Sequence, residues 1–140
     1  MIRIERMTSA TRAHVDSMQR LLFPPPNGLA NLDHGQWWVA FSEDRDELAG
    51  FCAIQASRTL GTAYLSRAGV MPKFRGQGLQ RRMVHLRMKW AKANGFKFVV
   101  TDTTSNPASA NSLINCGFKL YDPAHKWAFP DSLSWRKQCA

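Results

Sequence analysis

A chain of 140 residues and 15.8 kDa has the size of one domain, expected to span residues 1 to 140, and is too short for two of ordinary length. With 44% apolar and 11% aromatic residues it carries enough core to exclude wholesale disorder, and no run approaches the roughly 18 apolar residues of a membrane-spanning helix, so no membrane partner is expected. Nineteen Lys and Arg against ten Asp and Glu give a net charge of +9, which favours an anionic partner.

Met1 to Arg6 alternates charged and apolar residues, the pattern of a short half-buried strand, and has no signal-peptide core. Ser9 or Thr11 is placed to cap a helix reaching about Phe23, with Val15, Met18 and Leu22 at helical spacing. The run Pro24-Pro25-Pro26-Asn27-Gly28 ends it. Gln36 to Phe41 and Leu48 to Gln55 are strand-like, and the polar run Ser42 to Glu47 joins them as a β-hairpin with a solvated acidic tip. Ala63 to Met71 is the next strand, stopped by Pro72.

Leu79, Met83, Leu86 and Trp90 then line one face of a helix, leaving Arg81, Arg82, Arg87, Lys89 and Lys92 as its solvated basic remainder. Asn94-Gly95 stops that helix, because glycine takes a left-handed conformation freely. Phe96 to Thr101 reads as a strand, and Pro107 to Cys116 as a helix closed by Gly117. Phe118 to Tyr121 and Leu133 to Arg136 read as terminal strands. The order β-α-β-β-β-α-β-α-β-β implies a mixed sheet with helices packed on it.

The charge is unevenly spread. No acidic residue lies between Glu47 and Asp102, whereas ten basic residues do. A nucleic acid or a phosphorylated cofactor answers such a field. Cys52, Cys116 and Cys139 are too few and too widely spaced for a disulfide framework or a metal site, which fits a reducing cytoplasm. His14, His34, His85 and His125 have no partner at metal-ligand spacing, so no metal is expected. Trp37, Trp38, Trp90, Trp127 and Trp135 suit core and subunit contacts better than base stacking, which leaves a homodimer open and makes nucleic acid the weaker partner.

The segment Val70 to Gln80 is a strand end, a turn bearing Gly76 and Gly78, and a helix start. First-turn N–H groups of a helix lack intrahelical acceptors and carry the positive end of its dipole. Glycines let the backbone approach an anion, and Arg75 and Arg81 add full charges, so the turn suits a pyrophosphate. It is not a P-loop, since no lysine follows Gly78. The dinucleotide pattern Gly-x-Gly-x-x-Gly fails at Arg81.

What fits is Arg-x-x-Gly at Arg75 and Gly78, preceded by Val70 and Pro72. This block resembles the GNAT superfamily of acetyl-CoA-dependent N-acetyltransferases. Asn106, Ser109, Gly117 and Phe118 resemble that family's second block, and the two blocks together cover about a third of the chain. The resemblance implies an α/β (α+β) fold with a mixed, mostly antiparallel central sheet and helices on both faces. It implies that the backbone at Val70 and Met71 aligns the pantetheine arm and polarises the thioester carbonyl. It further implies that Arg75, Gly76, Gln77, Gly78, Leu79 and Gln80 hold the pyrophosphate with help from Arg81, and that Asn106, Ser109 and Ser112 line the thioester end.

Three positions depart from the family pattern. Gln80 replaces a small residue, Leu113 stands where many members carry a proton-donating tyrosine, and strand four has no carboxylate base. Of the two tyrosines, Tyr64 lies roughly 20 Å along the strand from Val70, which leaves Tyr121 as the candidate acid. The resulting expectation is an enzyme that moves acetyl from acetyl-CoA to an amine of a small molecule or protein by direct attack. The alternatives are a CoA-binding sensor without activity and a basic nucleic-acid-binding module.

Overall fold

In the computed structural model, which describes residues 1–44, 46–104, 106–123 and 131–139, the chain runs β1 (Ile2–Arg6), α1 (Arg12–Leu22), β2 (Gln36–Ser42), β3 (Leu48–Ala56), β4 (Thr62–Val70), a 3₁₀ turn (Pro72–Phe74), α2 (Leu79–Ala93), β5 (Phe98–Thr103), α3 (Pro107–Asn115), β6 (Lys119–Leu120) and β7 (Leu133–Gln138). The strands form one sheet in the order β1-β2-β3-β4-β5-β7-β6, and the β4–β5 ladder is parallel. This is the mixed sheet that the element order implies. Two compact units divide the chain, Met1–Gln55 with Ser66–Met83 and Ala56–Leu65 with Val84–Ala140. Among the described residues no helix is long and apolar enough to cross a membrane.

In the first unit β1, β2 and β3 are antiparallel neighbours, with a register shift between Ala40 and Phe41. Val15 and Met18 of α1 are fully buried against Trp37, Val39, Phe41, Phe51 and Ala53, the alternate residues that share one face of β2 and β3. Gly50 faces the other side, where a Cβ would lie 3.2 Å from Leu79 of α2. Helices therefore cover both faces of this part of the sheet. Thr11 precedes α1 but does not cap it. Its backbone is already helical (φ −105°, ψ −4°), and its hydroxyl accepts instead from the Thr8 N–H at 2.8 Å.

In the second unit β4 pairs with β5 only from Thr62↔Phe98 to Tyr64↔Val100, and β7 pairs with β5 along its whole length. The expected start of β5 at Phe96 is two residues early. Phe96 stacks on Trp90 at 5.9 Å and its N–H bonds Ala91 O, so it completes the stop of α2. In the same way Phe118 donates to Leu113 O and closes α3, which shortens β6 to Lys119–Leu120.

The buried stripe of α2 also differs from expectation. It runs through Leu79, Met83, Val84, Met88 and Ala91, while Leu86 and Trp90 are only half-buried. Arg87, expected on the solvated face, is 2% exposed with its side chain partnered, because four residues after Met83 and three after Val84 lies on that inward stripe. Trp37, Trp38 and Trp135 are core residues, whereas Trp127 and His125 lie outside the described residues.

Candidate functional site

β4 hands over to α2 through a tightly pinned bend. Met71 N–H donates to Ala49 O at 2.8 Å, Pro72 starts the 3₁₀ turn, and Phe74 is buried beneath it. Beyond this anchor the chain opens. Gly76 (φ +77°) and Gly78 (φ +79°) take left-handed conformations, and a Cβ on either would meet no atom within 4 Å. The carbonyl of Gly78 accepts the first helical bond, from Arg82 N at 3.1 Å. None of the backbone N–H groups from Gly76 to Arg81 meets a backbone acceptor among the described residues.

Six consecutive donors thus stand at the positive end of a fifteen-residue helix with no acidic residue in its first turn. Arg75 is exposed, with its Nε on Val70 O at 3.2 Å. Arg81 is exposed as well, while Gln80 is half-buried and Leu79 is buried as the inward anchor. Gln77 only brushes Lys73 O at 3.5 Å. Two neighbouring cations are committed elsewhere, Lys73 to Glu47 at 2.6 Å and Arg82 to Ile2 O at 2.9 Å. Such a bend offers main-chain donors of the kind that suit an anion of more than one charge.

Of the strand residues, Met71 cannot offer its N–H, which Ala49 already takes. Sequence reasoning missed Ser66, four residues before Val70, whose Oγ is buried without a hydrogen-bond partner among the described residues. A buried hydroxyl left so is costly unless a ligand or water completes it.

In the second unit Asn106 caps α3, its Oδ1 accepting from Ser109 N at 3.1 Å, with Pro107 at the first helical position. Ser109 and Ser112 are half-buried, and Leu113 fills a core position, 6% exposed. Tyr64, set aside on distance along the strand, donates to Asp102 at 3.3 Å to Oδ1 and 3.4 Å to Oδ2. The parallel register brings them together, because Tyr64 stands beside Val100 and Asp102 is two residues on, on the same face. Burial pushes the Asp102 carboxyl above its ordinary range, against the opposing hydrogen bond from Tyr64.

Tyr121 follows β6, with its N–H on Ser134 O at 3.0 Å and the Arg136 guanidinium 5.0 Å from its ring centre. Burial also raises the phenol above its ordinary value, the Arg136 charge lowers it, and the Asp102 charge raises it.

Asp102 has a consequence for stability. Its raised value means that the folded state holds this proton more tightly than the unfolded chain, so its contribution is full below the ordinary carboxyl value and is lost as pH rises through the folded one. Asp102→Asn, which keeps an acceptor for Tyr64, therefore melts above the parent protein at pH 7, and the gap closes as pH falls toward 3.8. Thermal melts across that range check it, and a lower melting point at pH 7 contradicts it.

The acetyltransferase (GNAT) family model matches residues 3–118. No curated protein matches the chain. Solved structures do. An N-acetyltransferase from Staphylococcus aureus superposes with a TM-score of 0.80 at 16% identity, covering 100% of this chain and 99% of that one. A Bacillus subtilis acetyltransferase in complex with CoA gives 0.76 at 18% identity, covering 99% of each chain. An IAA acetyltransferase from Bacillus cereus gives 0.76 at 15%, again covering 99% of each chain. At these identities the likeness is one of fold.

Proposed function

Because the chain belongs to the acetyltransferase (GNAT) family, we propose that it moves acetyl from acetyl-CoA to a primary amine of a small molecule or protein. The observation that carries this reading is the run of six N–H groups from Gly76 to Arg81 without a backbone acceptor among the described residues, flanked by the exposed guanidiniums of Arg75 and Arg81. A pyrophosphate fits that donor set, and the open space at Gly76 and Gly78 lets it approach the backbone. Acetyl-CoA supplies an activated thioester, whose carbonyl carbon is open to attack by a neutral amine.

This chain's residues position and polarise. Val70 N–H is the donor for the thioester oxygen, since Met71 N–H is already bonded. Asn106, Ser109 and Ser112 line the thioester end, where the capped start of α3 leaves the Asn106 amide nitrogen as a donor. As the C–N bond forms and the C–S bond breaks, the sulfur leaves with the electron pair and takes a proton, for which Tyr121 is the candidate donor. The amine proton is lost to solvent or to a carboxylate.

Thermal melts with acetyl-CoA, CoA and a DNA oligonucleotide test the reading. A ligand at one hundred times its Kd stabilises by about 2.7 kcal/mol, which is roughly 5–15 °C for a chain of this size. Both CoA species are expected to give such a shift and DNA none. A shift with DNA alone overturns the proposal. Thiol release from acetyl-CoA in the presence of amines then separates an enzyme from a CoA-binding protein without turnover. Arg75→Ala is expected to weaken CoA about tenfold while leaving pantetheine unaffected, since only CoA carries pyrophosphate. Calorimetry with the two ligands checks it.

A further inference from the structure

The end of α1 rests on the strand that carries Val70. A Cβ at Gly69 would lie 2.6 Å from Leu22 Cδ1 and 2.9 Å from Phe51 Cε1, so only a glycine beside Val70 lets this last turn approach so closely. The chain then turns through Pro24-Pro25-Pro26 and comes back to β4 at Arg67, two residues before Gly69 and on the same face of the strand.

The Arg67 guanidinium gathers this return. Its Nη1 donates to Gly28 O at 2.7 Å and to Gln19 Oε1 at 2.9 Å, and its central carbon stands 4.3 Å from the centre of the Phe23 ring. Gln19 is fully buried and grips Ala30 twice, with Ala30 N–H on Oε1 at 2.7 Å and Nε2 on Ala30 O at 3.3 Å. Among the described residues, residues 28–30 have no other hydrogen bond to the rest of the chain, and the prolines before them have no N–H to add. Arginine suits this post, since its planar fork bonds two oxygens while its face stacks on a ring.

Val70 lies three residues beyond Arg67, about 10 Å along the strand. We infer that Arg67 is a positioning residue for acetyl transfer: with Gln19 it fixes residues 24–31 as a strap beside Val70, and the fixed strap keeps water from the thioester. A thioester reacts with water as well as with an amine, so a site left open to solvent wastes its acetyl group. The inference rests on the acetyl-CoA reading above. It concerns the strap alone, because no hydrogen bond among the described residues joins residues 28–30 to the turn from Gly76 to Arg81.

The test is acetyl-CoA hydrolysis by the whole protein with no amine present, together with hydrogen exchange at the Ala30 amide. In hydrolysis water adds to the thioester carbon and the C–S bond breaks. Acetate forms, the sulfur takes one proton and the other is released. Arg67→Met is expected to raise this rate about tenfold and to speed Ala30 exchange about tenfold, with CoA affinity by calorimetry unchanged. Arg67→Lys keeps the charge and one donor but loses the fork, so its rates fall between, and it carries the test should the methionine variant fold poorly. Either rate unchanged in both variants overturns the inference. A rise in exchange throughout α1, β2 and β3 overturns it too, since Arg67 then only holds the core together. CoA binding by the wild-type protein is measured first. A protein that binds none defeats the acetyl-transfer reading, whereas unchanged hydrolysis in a protein that binds CoA defeats the strap alone.

Discussion

Gly78→Val is expected to lower the affinity for acetyl-CoA at least a hundredfold while the protein still folds. At φ +79° a β-branched residue is strained by about 1–3 kcal/mol, so the backbone relaxes toward negative φ and the donors on either side turn away from their common focus. Among the described residues no atom beyond its chain neighbours lies within 4 Å of the added Cβ, so nothing in the described core is displaced and the loss of stability stays within that strain. The new methyl groups project instead into the open space above the turn, where the anion is proposed to lie. Gly78→Ala separates the two effects, with less bulk but the same demand on φ, and its affinity should fall between those of valine and wild type. Calorimetry with CoA and a thermal melt of each variant decide it. Wild-type affinity in the valine variant would place the cradle elsewhere.

Tyr121→Phe is expected to lower kcat by between about tenfold and a thousandfold with KM for acetyl-CoA nearly unchanged. Burial raises this phenol, so it keeps its proton throughout neutral and mildly alkaline pH and is available to the departing sulfur. A thiol with an ordinary pKa of about 8.5 leaves readily as thiolate, which holds the effect below that of a true nucleophile. Phenylalanine keeps the ring against which the Arg136 guanidinium stacks, so a fall in kcat reports on the hydroxyl alone. Steady-state kinetics of this one variant suffice. An unchanged kcat leaves water as the donor and Tyr121 as a packing residue.

The parts of the fold written in local chemistry were legible in the sequence. Pro24 to Gly28, Pro72, Gly95 and Gly117 punctuate the chain where the structure bends, since their dihedral preferences act without tertiary help. Asn106 before Pro107 announced a capped helix, and the cap is there. Arg87 failed because its charge suggested solvent, while its place on the helix was set by Met83 and Val84. The Tyr64–Asp102 pair was illegible for a different reason. The two residues are 38 positions apart, and only the parallel register of β4 and β5 brings them side by side. The pairing of Asp102 with Ser134 across β5 and β7 likewise depends on which strand lies next to which.

The donors from Gly76 to Arg81 belong to the main chain, and that changes what evolution can alter there. Side chains at Gln77 and Gln80 can drift so long as the two left-handed glycines and the inward anchors Phe74 and Leu79 persist, because no side chain presents these six N–H groups. A glutamine at position 80 leaves that main-chain geometry in place. Heredity at this turn acts on a shape, with few letters under constraint. Chains that share as little as 15% of their residues keep the same fold.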